Sequence, residues 1–99
     1  MIDFDAIVGF DWDKGNARKN EKHGVSMAEA EQVFFNMPLL LLEDTAHSRI
    51  EVRLHALGKT DDSRLLHISF TLRKGGSMIR VISARDMHRK ERVFYGQAN

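Results

Sequence analysis

Residues 50–84 read IEVRLHALGKTDDSRLLHISFTLRKGGSMIRVISA, and this stretch decides the fold. Ile50, Val52, Leu54 and Ala56 alternate with Arg49, Glu51, Arg53 and His55, the period of a strand with one apolar and one wet face. Gly58 to Ser63 is polar and reads as a turn. Leu66, Ile68, Phe70 and Leu72 then alternate with His67, Ser69, Thr71 and Arg73. Gly75-Gly76 suits a tight hairpin, because both residues take positive φ without strain. Met78 to Ala84 completes the run as a last strand. Three strands joined by short turns predict an antiparallel meander.

Working outward toward the N-terminus, Leu39 to Leu42 is an apolar run of strand length, although a buried helical turn fits it as well. Before it, Ser26 and Glu29 form a capping box in which each side chain satisfies the other's amide. Met27, Ala30, Val33 and Phe34 follow on one helical face, and Asn36 and Pro38 stop the helix. An earlier helix over Lys14–His23 is capped by Asp11 or Asp13 and ended by Gly24. Trp12 reads as its anchor, and Ile7 to Phe10 as an opening strand. Toward the C-terminus, Asp86 is placed to cap a closing helix of roughly two to three turns. On that helix His88, Arg92 and Tyr95 form one stripe, while Met87 and Phe94 form another that faces the core. The order predicts an α+β fold: a small antiparallel sheet with helices packed against it as a two-layer domain.

The chain has 99 residues, which make one domain (1–99) with a modest core. It has no cysteine, so disulfides, thiolate nucleophiles and zinc–thiolate sites are excluded. No apolar stretch approaches the ~20 residues of a spanning helix. The N-terminus, MIDFDAIVGF, is acidic where a secretory signal is basic, so a cytoplasmic protein away from the membrane is expected. The histidines show no metal-binding spacing, and P-loop, dinucleotide-binding and nucleophile-elbow signatures are missing. No metal and no cofactor are therefore expected. The net charge of +1 conceals an asymmetry: residues 1–48 carry 4 basic and 9 acidic side chains, and residues 49–99 carry 11 and 5. A basic half attracts a polyanion even when the whole chain is nearly neutral.

Chemistry can reside on two surfaces. Arg49, Glu51, Arg53 and His55 share the wet face of one expected strand, where guanidiniums hold phosphate and the carboxylate and imidazole move protons. Taken alone, the same set reads first as a solvated face of mutually paired charges, since charged faces are common on antiparallel sheets. His88, Arg92 and Tyr95 on the closing helix offer an arginine for a phosphate and a phenol to stack or donate, or else an amphipathic helix whose aromatic snorkels at the core edge. Lys22 and His23 end the first helix within reach of a phosphate. Arg64, at a turn edge, is read as dispensable.

Several motifs together say more. F-D-W-D at Phe10 to Asp13, K-H-G-V-S at Lys22 to Ser26 and F-x-x-x-P at Phe34 to Pro38 resemble the N-terminal signature of the BrnT family. R-V-I-S-A-R at Arg80 to Arg85, then Glu91, Arg92 and Tyr95, resembles its C-terminal signature. The resemblance implies a RelE-like fold with helices on one side of the sheet. It also implies a toxin that degrades RNA, and a small ribbon-helix-helix antitoxin (BrnA-like) through which alone operator DNA is bound. It implies metal-free cleavage, in which the RNA's 2′-hydroxyl attacks the adjacent phosphate. On that reading Arg53, Arg80 and Arg85 clamp phosphate, Glu51 or His23 is the base, and Tyr95 stacks or acts as an acid. Lys22, Arg49, His55, His88 and Arg92 contact the RNA. An acidic helix of the antitoxin is expected to cover this face. Strict alternation puts Arg80 and Arg85 on opposite faces unless a bulge or a strand end intervenes near Ser83. Two other classes fit a RelE/ParE-like domain: a non-catalytic module that inhibits a protein target, and a nucleic-acid-binding regulator.

Overall fold

A computed structural model describes residues 3–13, 15, 23–47 and 51–98. The fold is α+β, built on a five-stranded open sheet. Its strands are β1 (Gly9–Phe10), β2 (Leu40–Glu43), β3 (Leu54–Lys59), β4 (Leu65–Arg73) and β5 (Met78–Asp86), in the spatial order β1-β5-β4-β3-β2. β2 to β5 form the expected antiparallel meander, and β1 adds a short parallel edge beside β5. The described helices are α1 (Met27–Val33) and α2 (Arg89–Gly96). The helix expected over Lys14–His23 lies almost wholly outside the described residues. Gly24 takes the left-handed conformation, φ +69°, expected of a helix-ending glycine. No helix among the described residues is long and apolar enough to cross a membrane.

α1 starts where its capping box lies: the Glu29 amide donates to Ser26 Oγ and the Ser26 amide to Glu29 Oε1, both at 3.1 Å. Ala30 and Val33 are buried, and the Phe34 ring meets Phe70 edge-on with centroids 5.1 Å apart. Met27, expected on the same face, is exposed. At about 100° per residue it sits roughly 120° round the helix from Val33, on the rim of the apolar stripe. Trp12 reaches α1, its Nε1 donating to Glu31 at 2.8 Å, while the helix it was expected to anchor lies almost wholly outside the described residues. Asn36 closes the end of α1, its amide donating to the carbonyls of Gln32 and Lys59.

β3 differs from the expected strand. It begins only at Leu54, so Glu51 and Arg53 precede it, and it runs on through Gly58 to Lys59. Gly58 therefore marks a close approach and not a turn: a Cβ there would lie 2.6 Å from Val33 Cγ1, so only glycine lets α1 press so near. The turn comes later, where the Thr60 amide donates to the Arg64 carbonyl and Ser63 takes φ 66°.

β5 carries a bulge. Ser69 lies opposite Ser83 but Phe70 opposite Val81, which leaves Ile82 with no residue facing it. Its two halves thus have opposite parity. Ile79, Val81 and Ala84 join Ala56, Leu66, Ile68 and Phe70 in the main core under α1. Arg80, Ser83 and Arg85 all turn to the other face, with Thr71, Ser69 and His67. The same shift carries Met87 to that second face, where it packs with Leu57, Tyr95, Leu40 and Leu65. α2 follows it there. The two described helices consequently lie on opposite faces of the sheet, not on one side as in a two-layer arrangement.

Asp86 does not cap α2. The His88 amide is taken by Glu91 at 2.8 Å, and Asp86 instead receives Arg64 in a two-pronged pair, 2.8 and 3.1 Å. Arg64 also donates to Glu29 at 3.1 Å and to the Gly24 carbonyl at 2.9 Å. It ties α1 to both central strands, so it is no neutral position. Arg64→Ala is expected to cost about 1–2 kcal/mol, since several charge-assisted bonds are lost together although each is partly solvated. A urea titration of the variant checks this, and an unchanged midpoint would contradict it.

Candidate active site

The sheet face opposite α1 is only partly covered by α2. On this face β3 carries His55, β4 carries His67 and the buried Ser69 and Thr71, and β5 carries Arg80, Ser83 and Arg85. His55 and His67 meet across the strands with ring centroids 4.6 Å apart. His55 is held from both sides: Nε2 lies 2.9 Å from Asp44 Oδ2, and Nδ1 lies 3.1 Å from Ser69 Oγ. His67 lies directly opposite Arg85 in the ladder. The Arg85 guanidinium grips Glu91 of α2 with two bonds, 2.8 and 3.0 Å, and donates to the Asp86 carbonyl at 3.0 Å.

This packing fixes the protonation of two groups. Arg85 and the His88 amide donate to Glu91 and hold its carboxyl down to about 2. Burial, aided by the positive charge of Arg85, pushes His67 down to about 4. His67 is therefore a neutral imidazole at neutral pH. Its Nδ1 is buried and finds no hydrogen-bond partner among the described residues, and its Nε2 lies 3.9 Å from Glu91, too far for a hydrogen bond. A depression of about 230 Å³ opens beside the pair, walled by Leu42, Leu57, Lys90, Glu91 and Phe94.

The low value for His67 has a consequence for stability. Between pH 6.5 and about 4 the unfolded chain binds a proton at this imidazole that the folded chain refuses. Stability should therefore be complete above pH 6.5 and fall, on the order of 2 kcal/mol, as the pH drops toward 4. Urea midpoints measured at pH 7 and pH 4.5 test this, and His67→Gln should flatten the difference.

The residues singled out from sequence are distributed unevenly. Arg85 and His55 stand at the cluster. Arg80 shares their face because of the bulge, four ladder positions from Arg85 and so roughly 13 Å away. There it pairs with Asp13 and, at 3.7 Å, with Asp11. Glu51 lies outside the strand and pairs with Arg73 at 3.2 Å, so it is not beside His55. Arg53 also precedes the strand, its carbonyl accepting from the Asp44 amide at 2.8 Å. His23 is exposed and adjoins Gly24, whose carbonyl holds Arg64 on the α1 side of the sheet, away from the histidine pair. His88 at the N-cap of α2 and Arg92 within the helix are exposed, Arg92 donating to the Met87 carbonyl at 2.7 Å. Lys22 and Arg49 lie outside the described residues.

Tyr95 is neither a stacking platform nor a ready acid. It is buried, its hydroxyl donates to the Pro38 carbonyl, and burial raises its pKa. Phe94, expected in the core, is the half-exposed neighbour. Tyr95 takes the inward position because its hydroxyl reaches an acceptor beyond the reach of a phenylalanine.

Sequence reasoning missed Asp44, His67 and Ser69 as members of the cluster. His67 and Ser69 were legible as the wet face of their strand, but their meeting with His55 depends on a cross-strand register that alternation alone does not set.

The model of a family described as the ribonuclease toxin BrnT of a type II toxin–antitoxin system matches residues 12–91. The matched span includes His55, His67, Arg80, Arg85 and Glu91 and stops short of Arg92 and Tyr95. No curated protein matches the chain. With the match running from Trp12 to Glu91, over most of the sequence and all five strands but β1, the chain belongs to the BrnT family of ribonuclease toxins, which act in type II toxin–antitoxin systems.

Proposed function

We propose that this ribonuclease toxin cleaves RNA on the open face of its sheet, around His67, His55, Arg85 and Glu91, without a metal ion. One observation carries the reading: a neutral imidazole and a second, carboxylate-held imidazole lie 4.6 Å apart beside an arginine. Cleavage without metal needs three services, namely a base for the 2′-hydroxyl, an acid for the leaving 5′-oxygen and positive charge on the phosphate between them.

In this scheme the scissile phosphate binds Arg85, and neutral His67 accepts the 2′-hydroxyl proton. The 2′-oxygen bonds to phosphorus and the bond to the 5′-oxygen breaks. That oxygen takes its proton from the His55 side of the pair, where Asp44 and Ser69 hold the ring. Arg80, farther along the same face, contacts a neighbouring phosphate. The products are a 2′,3′-cyclic phosphate and a free 5′-hydroxyl.

Cleavage is accordingly expected to survive EDTA and to leave the cyclic phosphate end, which end-group analysis of a labelled RNA reads directly. Activity abolished by EDTA and restored by magnesium would overturn the scheme. The family's ribonuclease description displaces the non-catalytic module and the plain regulator as accounts of the chain. Its antitoxin partner follows from the same description. Three finer points belong to this proposal and rest on the resemblance: a RelE-like superfamily, a ribbon-helix-helix antitoxin that alone binds the operator, and a cytoplasmic site of action.

A further inference from the structure

A groove of about 660 Å³ lies on the α1 side of the sheet, opposite the histidine pair. Phe10, Leu41 and Ile79 form its floor, and Val8, Phe35 and Met37 stand around it. Those last three are 80%, 77% and 75% exposed. The Phe35 ring is held edge-on to Phe10 with centroids 6.3 Å apart, so this wall is packed in place. Among the described residues none that lines the groove is charged. Monomeric proteins seldom leave so many large apolar side chains together in water unless a partner covers them.

We propose that this groove anchors the antitoxin, through a segment whose aliphatic or aromatic side chains fill it and whose flanks carry lysine or arginine. The proposal rests on the family's protein antitoxin and is independent of where RNA is cut. The choice of occupant follows from charge. Asp3 and Asp5 flank Phe4 at the rim and are exposed. A second copy docked by two-fold symmetry would bring this acidic rim against itself, whereas a basic-flanked segment is complementary to it. On the opposite face Arg85 and Arg80 already hold Glu91 and Asp13, so no acidic helix is needed there to satisfy them. Among the described residues the groove is an apolar surface left open, and an amphipathic segment laid in a groove is a common way of covering one.

The test separates toxicity from neutralisation. Phe35→Glu expressed alone should still arrest growth, because it lies across the sheet from the cleavage face. Co-expression with the antitoxin encoded beside the toxin should then no longer restore growth. Normal rescue of Phe35→Glu, with co-elution of the two proteins on size exclusion, would overturn the proposal. Should Phe35→Glu fail to fold, the milder Met37→Ser and Val8→Ser variants decide it. With an unchanged thermal midpoint, each should bind purified antitoxin about 30-fold more weakly or worse in a calorimetric titration, and wild-type affinity in both would refute the groove. Sedimentation of the free toxin should show a monomer. A dimer abolished by Met37→Ser would hand the groove to a second copy instead. If wild-type protein fails to cut RNA while these binding differences persist, the cleavage reading falls and the groove stands.

Discussion

Replacing Arg85 with alanine is expected to slow RNA cleavage about 100- to 1,000-fold, the loss of about 3–4 kcal/mol of transition-state stabilisation that follows removal of one preorganised charge at a reacting phosphate. Arg85 is chosen over Arg80 because it lies directly opposite His67 in the ladder, where phosphate and base must meet. The guanidinium is held by Glu91 and the Asp86 carbonyl before substrate arrives, so little ordering remains to be done on binding. The fold should lose about 1–2 kcal/mol, as for Arg64, since a partly solvated, two-pronged charge-assisted pair is broken. Single-turnover cleavage of the variant, beside its thermal midpoint, separates the two effects. Arg85→Lys should recover part of the rate, because it keeps the charge and loses the two-pronged geometry. A folded Arg85→Ala variant that cleaves at the wild-type rate would place the phosphate elsewhere.

Phe70→Ala should have the largest effect on stability, about 3–5 kcal/mol. Phe70 is fully buried at the centre of the sheet, opposite Leu54 on one side and Val81 on the other, with the Phe34 ring edge-on above it. Those neighbours sit on three different strands or helices, so the cavity cannot close by moving one side chain. A domain of this size commonly has only about 5–15 kcal/mol in all. The loss should therefore bring the variant close to unfolding at physiological temperature. Urea denaturation measures it, and a shift below 1 kcal/mol would show that α1 settles into the space.

Much of this architecture is legible in the sequence itself. The Ser26–Glu29 box, the alternation from Leu66 to Leu72 and the glycine hairpin each act within a few residues, where local chemistry decides the structure. What escaped depends on distant partners. Gly58 looked like a turn because its real constraint, Val33, is 25 positions away in the chain. Arg64 looks idle because its partners come from two distant segments, Gly24 and Glu29 at the start of α1 and Asp86 at the end of β5. Phe94 and Tyr95 exchanged places because an acceptor on Pro38, invisible from within the helix, selects the phenol. The site followed the same rule. Arg85 and His55 could be named from residue type and resemblance, whereas their joining with His67 needed the register of three strands. Arg80 and Arg85 share a face only through a bulge or a strand end near Ser83, and Ile82 supplies the bulge.

That one unmatched isoleucine is a phase shifter in the chain's inside–outside rhythm. Upstream of it, odd-numbered positions of β5 face the main core; downstream, even-numbered ones do. Shorten the strand there by a single residue and every later position changes sides: Ala84 would surface, Arg85 would be driven into oil, and α2 would depart toward the wrong layer. The segment between Val81 and Arg85 can therefore drift in composition far more freely than in length. A gap of one residue would do there what no single side-chain replacement could, exchanging the protein's chemistry for its core.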